Sequence, residues 1–497
     1  MLEVKRAEEE EKTKKVVEAF SRALEIAEKI KECRREYDGF VKGLSGEFVE
    51  PGASGSLTRG KTEILPTGRN FFAVDPTAIP TKAAWKIGVD TAEKLIEHYK
   101  AKHGRYPESV GEWLWSIDAY KADGEQIAQI LYLLGVKPVW EYGKVRGLEV
   151  IPLDELKRPR IDVVIRITGI VRDTLPNYIY MIDEAVSKVA LLDEPAEMNY
   201  VRKHYLEHVS KLRELGVDED LALCRVFCSP PGTYGSGVNY AVEASAWQDD
   251  EDLAKTWVQW SGYAYTRKHF GKGAAESLIL NLKNVDVVTR NHISDEHDIF
   301  NCCCYFSYHG GFYNTVKTLG GSPEIVVVDT KDVSATSVRE MRDEIERIVR
   351  AKLLNPAWIE GMKQHGYRGA SEFSKKILHL YGWAATTKLV DKWVFDEIAN
   401  TYVLDNEMRK WFEENNVYAV EEIARRLVEA AERGLWQADE ELLEKLREAY
   451  GEIEGILEES LSGDVQGGAI DILTMDDVEN WEKSSRDIVN VWEKLKG

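Results

Sequence analysis

Between Leu65 and Glu194 short apolar runs alternate with segments of helical period, and this alternation constrains the fold more than any other feature of the chain. The runs Ser109 to Ile117, Lys137 to Trp140, Leu148 to Pro152 and Ile161 to Ile167 read as strands. Pro80 to Lys102, Asp123 to Leu134 and Leu175 to Leu192 space apolar residues three and four apart and read as helices. Strands and helices in alternation build a mostly parallel sheet covered by helices, with ligands gathering beyond the carboxyl ends of the strands. Glu324 to Asp329 reads as one more strand, and nearly everything after Val338 has helical period. The expected class is α/β, a mostly parallel sheet with flanking helices, followed by a largely helical carboxyl-terminal region.

A chain of 497 residues is too long for one hydrophobic core. The expected divisions are a helical segment and loop (1–60), an α/β domain (61–200), a mixed domain with the candidate metal or ring site (201–330) and a mainly helical domain (331–497). In the first, Val16, Val17, Phe20, Leu24, Ala27 and Ile30 recur at helical spacing and form a packing face. A formal charge of -21 repels phosphate backbones and anionic membranes, so nucleic acid is not an expected partner. No apolar run approaches the roughly 20 residues of a membrane span. The charged start, Met1 to Lys15, lacks the apolar core of a signal peptide, so the expected location is the cytoplasm. Six cysteines, at 33, 224, 228 and 302 to 304, form no disulfide framework and are expected to be reduced.

The densest chemistry lies between His292 and Gly311, where His292, Asp295, Glu296, His297, Asp298, Cys302, Cys303, Cys304 and His309 fall within twenty residues. Imidazole and thiolate suit cobalt, nickel or zinc, whereas magnesium prefers oxygen ligands. If Ile299 to Tyr308 is extended, Cys302 and Cys304 share one side and Cys303 points to the other, so the three thiols do not meet one ion. The spacing matches no zinc-finger template. Two readings stay open: small buried cysteines in a core strand, or an open metal-handling site. In loops after the sheet strands, Arg69 and Arg172 are candidate forks for carboxylates, with an Arg172–Asp173 structural pair as the alternative. The loop Asn355 to Gly369 offers His365 and Arg368. Gly55, Gly60, Lys61 and Thr62 match a phosphate-loop pattern, but Pro66 and Gly68 block the helix that such a loop requires, so no nucleotide site is expected.

Several loops together resemble the large subunit of the ATP-dependent cobaltochelatase and magnesium-chelatase family. The matching segments include Leu65-Pro-Thr-Gly-Arg-Asn70, Ile79-Pro-Thr-Lys-Ala-Ala-Trp85, Arg158-Pro-Arg-Ile-Asp-Val163, Asn199-Tyr-Val-Arg-Lys-His204, Glu296-His-Asp298, His309-Gly-Gly311 and His365-Gly-Tyr-Arg-Gly-Ala370. The resemblance implies a subunit that binds a tetrapyrrole or corrin ring and inserts a divalent metal, with ATP and its magnesium on separate AAA+ ATPase subunits. Glu296 to Asp298, His309 to Gly311 and Gly262 to Tyr265 look like the cobalt branch, and Gly382 to Thr387 with Val390 to Val394 looks nearer the magnesium branch. Cobalt into a ring of the hydrogenobyrinic acid a,c-diamide type is favoured; magnesium or nickel, or a non-catalytic tetrapyrrole carrier, are the alternatives. Cobalt-type members carry an acidic run where this chain has Asn301 to Cys304. The resemblance covers only the carboxyl-terminal part of a longer subunit, which implies a second polypeptide supplying the rest. Insertion must remove two ring protons and strip water from the metal, so Glu296, His297, Asp298, His309 and His365 are expected to deliver metal or accept protons. His297, His309, Cys302 and Cys304 are the expected metal ligands. Arg69, Arg172 and Arg368 are expected to hold the ring's carboxylates.

Overall fold

The apolar runs at Ser109–Leu114 and Asp162–Ile167 are buried along their whole length, as strands covered on both faces must be. The computed structural model describes residues 2–71, 74–460 and 475–496. Its main sheet contains β1 (Ser109–Leu114), β2 (Asp162–Ile167), β3 (Val226–Cys228), β4 (Tyr263–Tyr265), β5 (Phe270–Gly273), β6 (Val287–His292), β7 (Glu324–Asp329) and β8 (Ser337–Glu340). Their order is β8-β7-β6-β1-β2-β3-β4-β5. The central five are parallel, and β8, β4 and β5 are antiparallel edges. Val110, Leu114, Val163 and Ile165 pack on one side with residues of the helices Lys82–His103, Glu125–Leu133 and Pro176–Ala190. Trp113, Val164, Phe227 and Val288 pack on the other with Trp257, Phe312 and Trp383.

The α/β class with its helical carboxyl-terminal region is as expected, but three expectations change. The runs near Lys137 to Trp140 and Leu148 to Pro152 are not members of the parallel sheet; Val136–Glu141 and Lys144–Val150 pair antiparallel as a separate ribbon. The two-residue turn between them explains this, because Tyr142 and Gly143 have φ of 51° and 76°, the geometry of a tight hairpin. The domain boundary expected at residue 200 runs through a single sheet, since β3 to β7 extend it on both sides of β1 and β2. The amino-terminal helix Leu2–Glu32 forms, yet Val16, Val17, Phe20, Leu24 and Ile30 are 51–69% exposed, so the expected packing face is bare.

The carboxyl-terminal region is helical from Met341–Ile348 onward, and the last helix, Met475–Leu495, returns to bury Trp492 in the core beside the sheet. Among the described residues no helix is long and apolar enough to cross a membrane.

Candidate functional site

From β1 the sheet grows toward β2 and β3 on one side, and the chain later places β6 and β7 on the other. Connections therefore diverge beyond the carboxyl ends of β1 and β6, and such a divergence opens a crevice. It holds a cavity of about 140 Å³ lined by Trp115 just past β1, by Arg290 and His292 of β6, and by Lys121, His297 and Tyr305.

Arg290 forms the base of this crevice. It is 5% exposed, and its guanidinium carbon lies 4.5 Å from the Trp113 ring, 5.3 Å from Trp115 and 4.3 Å from Tyr305. Trp113 is held in place by stacking on Trp115 at 5.7 Å and on Tyr308 at 5.3 Å. Among the described residues no carboxylate forms an ion pair with Arg290. Its neighbour Arg166 also meets an aromatic ring, but donates to Ser261 Oγ at 2.8 Å and to Gly235 O at 2.9 Å. Three π faces offset part of the cost of burying a guanidinium, on the order of 0.5–2 kcal/mol per ring, and a bound anion would offset the rest. With Lys121 also lining it, the crevice is cationic on a chain of formal charge -21.

Two imidazoles line the same cavity. His292 is buried, and its Nε2 lies 3.5 Å from Asp295 Oδ1 and 4.0 Å from Glu344 Oε1 without a well-formed hydrogen bond. His292, Asp295 and Glu344 are close enough to surround an ion. The two carboxylates are already held by Lys331, Arg339 and Arg347, cations that a metal would have to displace, which disfavours a metal cage. The contact to His292, then Arg347 and Lys331, keeps Asp295 well below the usual carboxylate range. Burial, reinforced by Lys121, lowers the pKa of His297 and keeps its ring neutral near pH 7, ready to accept a proton or a metal.

Asp298 has a different task. Fully buried, it pairs with Lys352 and with Lys376, whose Nζ is 3.3 Å away, and it accepts from Phe300 N at 2.8 Å. Burial alone would raise its pKa; Lys376 and Lys352 outweigh that and lower it, so Asp298 stays ionised. Lys376 lies on the helix Gly366–Thr387, which also sends Trp383 Nε1 to Ile299 O at 3.1 Å and His379 Nδ1 to Phe300 O at 2.6 Å.

The condition under which Ile299 to Tyr308 would be extended is not met. The chain turns helical at Cys303, passes through a π-helical turn at Tyr305–Gly310 and continues as Gly311–Thr318. Side chains of a helical turn do not alternate, so the three thiols converge, each sulfur within 4.8 Å of the others. Glycines permit the close packing behind this turn. A Cβ on Gly382 would stand 2.6 Å from the Phe306 ring.

Of the expected site residues, Glu296 and His297 lie at the crevice, Glu296 paired with Lys121 at 3.6 Å, and the cysteines stand beside it. Others are placed elsewhere. His309 is buried on the far side of the π turn against Trp383, and burial pushes its pKa down to about 3. His365 and Arg368 are exposed at the start of the helix Gly366–Thr387, where Arg368 pairs with Glu372. Arg69 donates to the carbonyls of Glu63, Ile64 and Pro66. Arg172 donates to Asp173 and to the carbonyls of Ser229, Pro230 and Thr233, the structural alternative named above. Lys61 pairs with Asp123 at 2.5 Å, and Thr62–Ile64 is a single 3-10 turn where a phosphate loop would need a helix. Sequence reasoning missed Arg290, Trp113 and Trp115, which only the register between two strands far apart in sequence brings together.

Comparison with known proteins agrees with this architecture. The profile of the CobN/Magnesium Chelatase family matches residues 2–443. The aerobic cobaltochelatase subunit CobN of Pseudomonas aeruginosa is 38% identical over 421 residues, covering 83% of this chain and 34% of that protein. The chloroplastic magnesium-chelatase subunit ChlH of Oryza sativa subsp. indica is 39% identical over 421 residues, covering 84% of this chain and 30% of that protein. The solved catalytic subunit of cobaltochelatase from Mycobacterium tuberculosis superposes with a TM-score of 0.81 at 40% identity, covering 84% of this chain and 36% of that one. The chain thus spans about a third of the length of the relatives it matches, and it belongs to the CobN/magnesium chelatase family.

Proposed function

We propose that the chain is the part of a metal-chelatase large subunit that grips the ring's edge and presents imidazoles to the metal, and that its reaction is insertion of Co2+ into a corrin-ring precursor of the hydrogenobyrinic acid a,c-diamide type. The observation that carries this reading is Arg290, a buried guanidinium with no ion-pair partner among the described residues, facing a crevice that His292 and His297 also line. A cavity of about 140 Å³ is too small for a whole macrocycle but suits one carboxylate arm. Bidentate pairing with Arg290 would fix the ring's edge, and the rest of the ring would lie over the rim. Insertion breaks two ring N–H bonds, forms metal–nitrogen bonds and releases two protons. His297, held neutral, is suited to take one of them, with Glu296 beside it. Sequence identity to the cobalt and magnesium relatives is nearly equal; the imidazole- and thiol-rich surroundings favour cobalt over magnesium.

In this reading ATP is hydrolysed by separate AAA+ subunits, and the sequence filling the rest of the relatives' length works with this chain, in the cytoplasm. The test is absorbance titration with ring candidates, followed by insertion assays with cobalt, nickel and magnesium in the assembled complex. His297→Ala should abolish insertion with ring affinity and melting temperature nearly unchanged, and His292→Ala, at a buried position, should abolish it with ring affinity retained in the folded protein. Insertion that survives both substitutions would place the chemistry elsewhere.

A further inference from the structure

Cys302, Cys303 and Cys304 are half-buried, and their sulfurs all lie within 4.8 Å of one another. Three thiolates bound to a tetrahedral ion at about 2.3 Å would stand about 3.8 Å apart, so closing the trio on an ion needs movements of about 1 Å or less. A carboxylate also interacts with the trio: burial raises the pKa of the half-buried Glu243, and its interaction with Cys303 opposes that rise, although its oxygens are not within 4.8 Å of all three sulfurs and must move to serve as a fourth donor. The trio borders the crevice through the chain itself, since Cys304 immediately precedes Tyr305, which lines it.

We propose that Cys302, Cys303 and Cys304, with Glu243 as oxygen donor, form a binding site for one borderline-soft divalent cation of the cobalt, nickel or zinc class, adjacent to the crevice and separate from it. Binding exchanges three S–H bonds for three metal–sulfur bonds. Three protons pass to solvent, Glu243 supplies one oxygen, and no electron is transferred. If the chain works as a chelatase subunit, the ion held here is the cargo for the crevice; the binding itself does not depend on that reading.

The test is titration of the reduced full chain with Co2+ without oxygen and without any ring. A sulfur-to-cobalt charge-transfer absorption should saturate at one ion per chain with release of protons, be bleached by Zn2+ and resist excess Mg2+. Cys303→Ser should weaken binding by more than the roughly 10- to 100-fold that loss of an outer partner causes, and Glu243→Gln by roughly 10-fold. The triple serine variant keeps Cys33, Cys224 and Cys228 as an internal control. An unchanged band in that variant, or no band in the wild type, would overturn the proposal. Should the triple variant not fold, cobalt must protect the three cysteines of the wild type from alkylation, and failure of that protection would overturn it equally. Since no ring is present, a negative result here is distinct from a negative insertion assay.

Discussion

Tyr305 joins Arg290 to His297: its ring lies 4.3 Å from the guanidinium carbon of Arg290, and its hydroxyl donates to the carbonyl of His297 at 2.8 Å. One side chain thus sets both the anion receptor at the base of the crevice and the imidazole at its rim.

Arg290→Ala should weaken binding of a carboxylated ring by about 10- to 150-fold, the equivalent of roughly 1.5–3 kcal/mol for a charge-assisted bond. Tyr305→Phe keeps the ring under the guanidinium and removes the hydroxyl's bond to the His297 carbonyl, so ring affinity should fall far less than in Arg290→Ala while insertion slows. Absorbance titration separates the two, and equal ring affinity in Arg290→Ala would refute the receptor.

Asp298→Asn should destabilise the fold by about 3–5 kcal/mol, because Lys352 and Lys376 lose the charge that compensates them. The folded pKa of Asp298 is lowered. Its contribution is therefore complete above the unfolded value of about 3.9 and is lost as pH falls from there through the lower folded value. Denaturant melts of wild type and Asp298→Asn at pH 7 and pH 3 should show the gap narrowing in acid.

Glu112 behaves in the opposite sense. Buried in β1 and accepting from Gln126 and Gln129 at 2.6 Å each, it is pushed up to about 8 by burial, and Asp118 nearby to about 7. An acid whose folded pKa is raised destabilises the fold as pH climbs from the unfolded value, about 4.3 for Glu, through the folded one. Stability should fall by an amount on the order of a few kcal/mol between pH 5 and pH 8, and Glu112→Gln should flatten part of that slope in urea melts.

How much of this was legible depended on how unambiguous each local pattern was. The sheet's heart was readable because Ile161 to Ile167 and Glu324 to Asp329 are bounded apolar runs. The segment Val287–His292 was not, because Thr289, Arg290, Asn291 and His292 interrupt its apolar character; only pairing between β1 and β7 makes it a strand. The same holds for Cys303 to Tyr308, where a short, mostly apolar run does not distinguish strand from helix. The helical sign was Tyr305, Tyr308 and Phe312 at spacings of three and four. The nearness of Arg290 to Trp113 is a matter of register between strands far apart in sequence, and no local pattern encodes it.

Lys61→Ala should leave nucleotide affinity unchanged and lower stability by at most about 1 kcal/mol, the range of a partly exposed ion pair with Asp123. Calorimetric titration with ATP and a thermal melt check both. Nucleotide binding by the wild type that disappears in the variant would restore the phosphate-loop reading.

His309→Ala should lower the melting temperature, at a cost of about 1–3 kcal/mol for a cavity and a lost polar contact in the core. In the fraction that remains folded, insertion should persist. Loss of insertion at an unchanged melting temperature would return His309 to the chemistry.

The helix Gly366–Thr387 grips three successive positions of the crevice loop, Asp298 through Lys376, Ile299 through Trp383 and Phe300 through His379. Three attachments along one rod leave it no freedom to slide past the loop. A shift of that helix by even one residue's rise, about 1.5 Å, must drag the rim at His297 with it. Force applied to the helical region, tens of residues away in sequence, is thereby delivered as displacement at the mouth of the crevice.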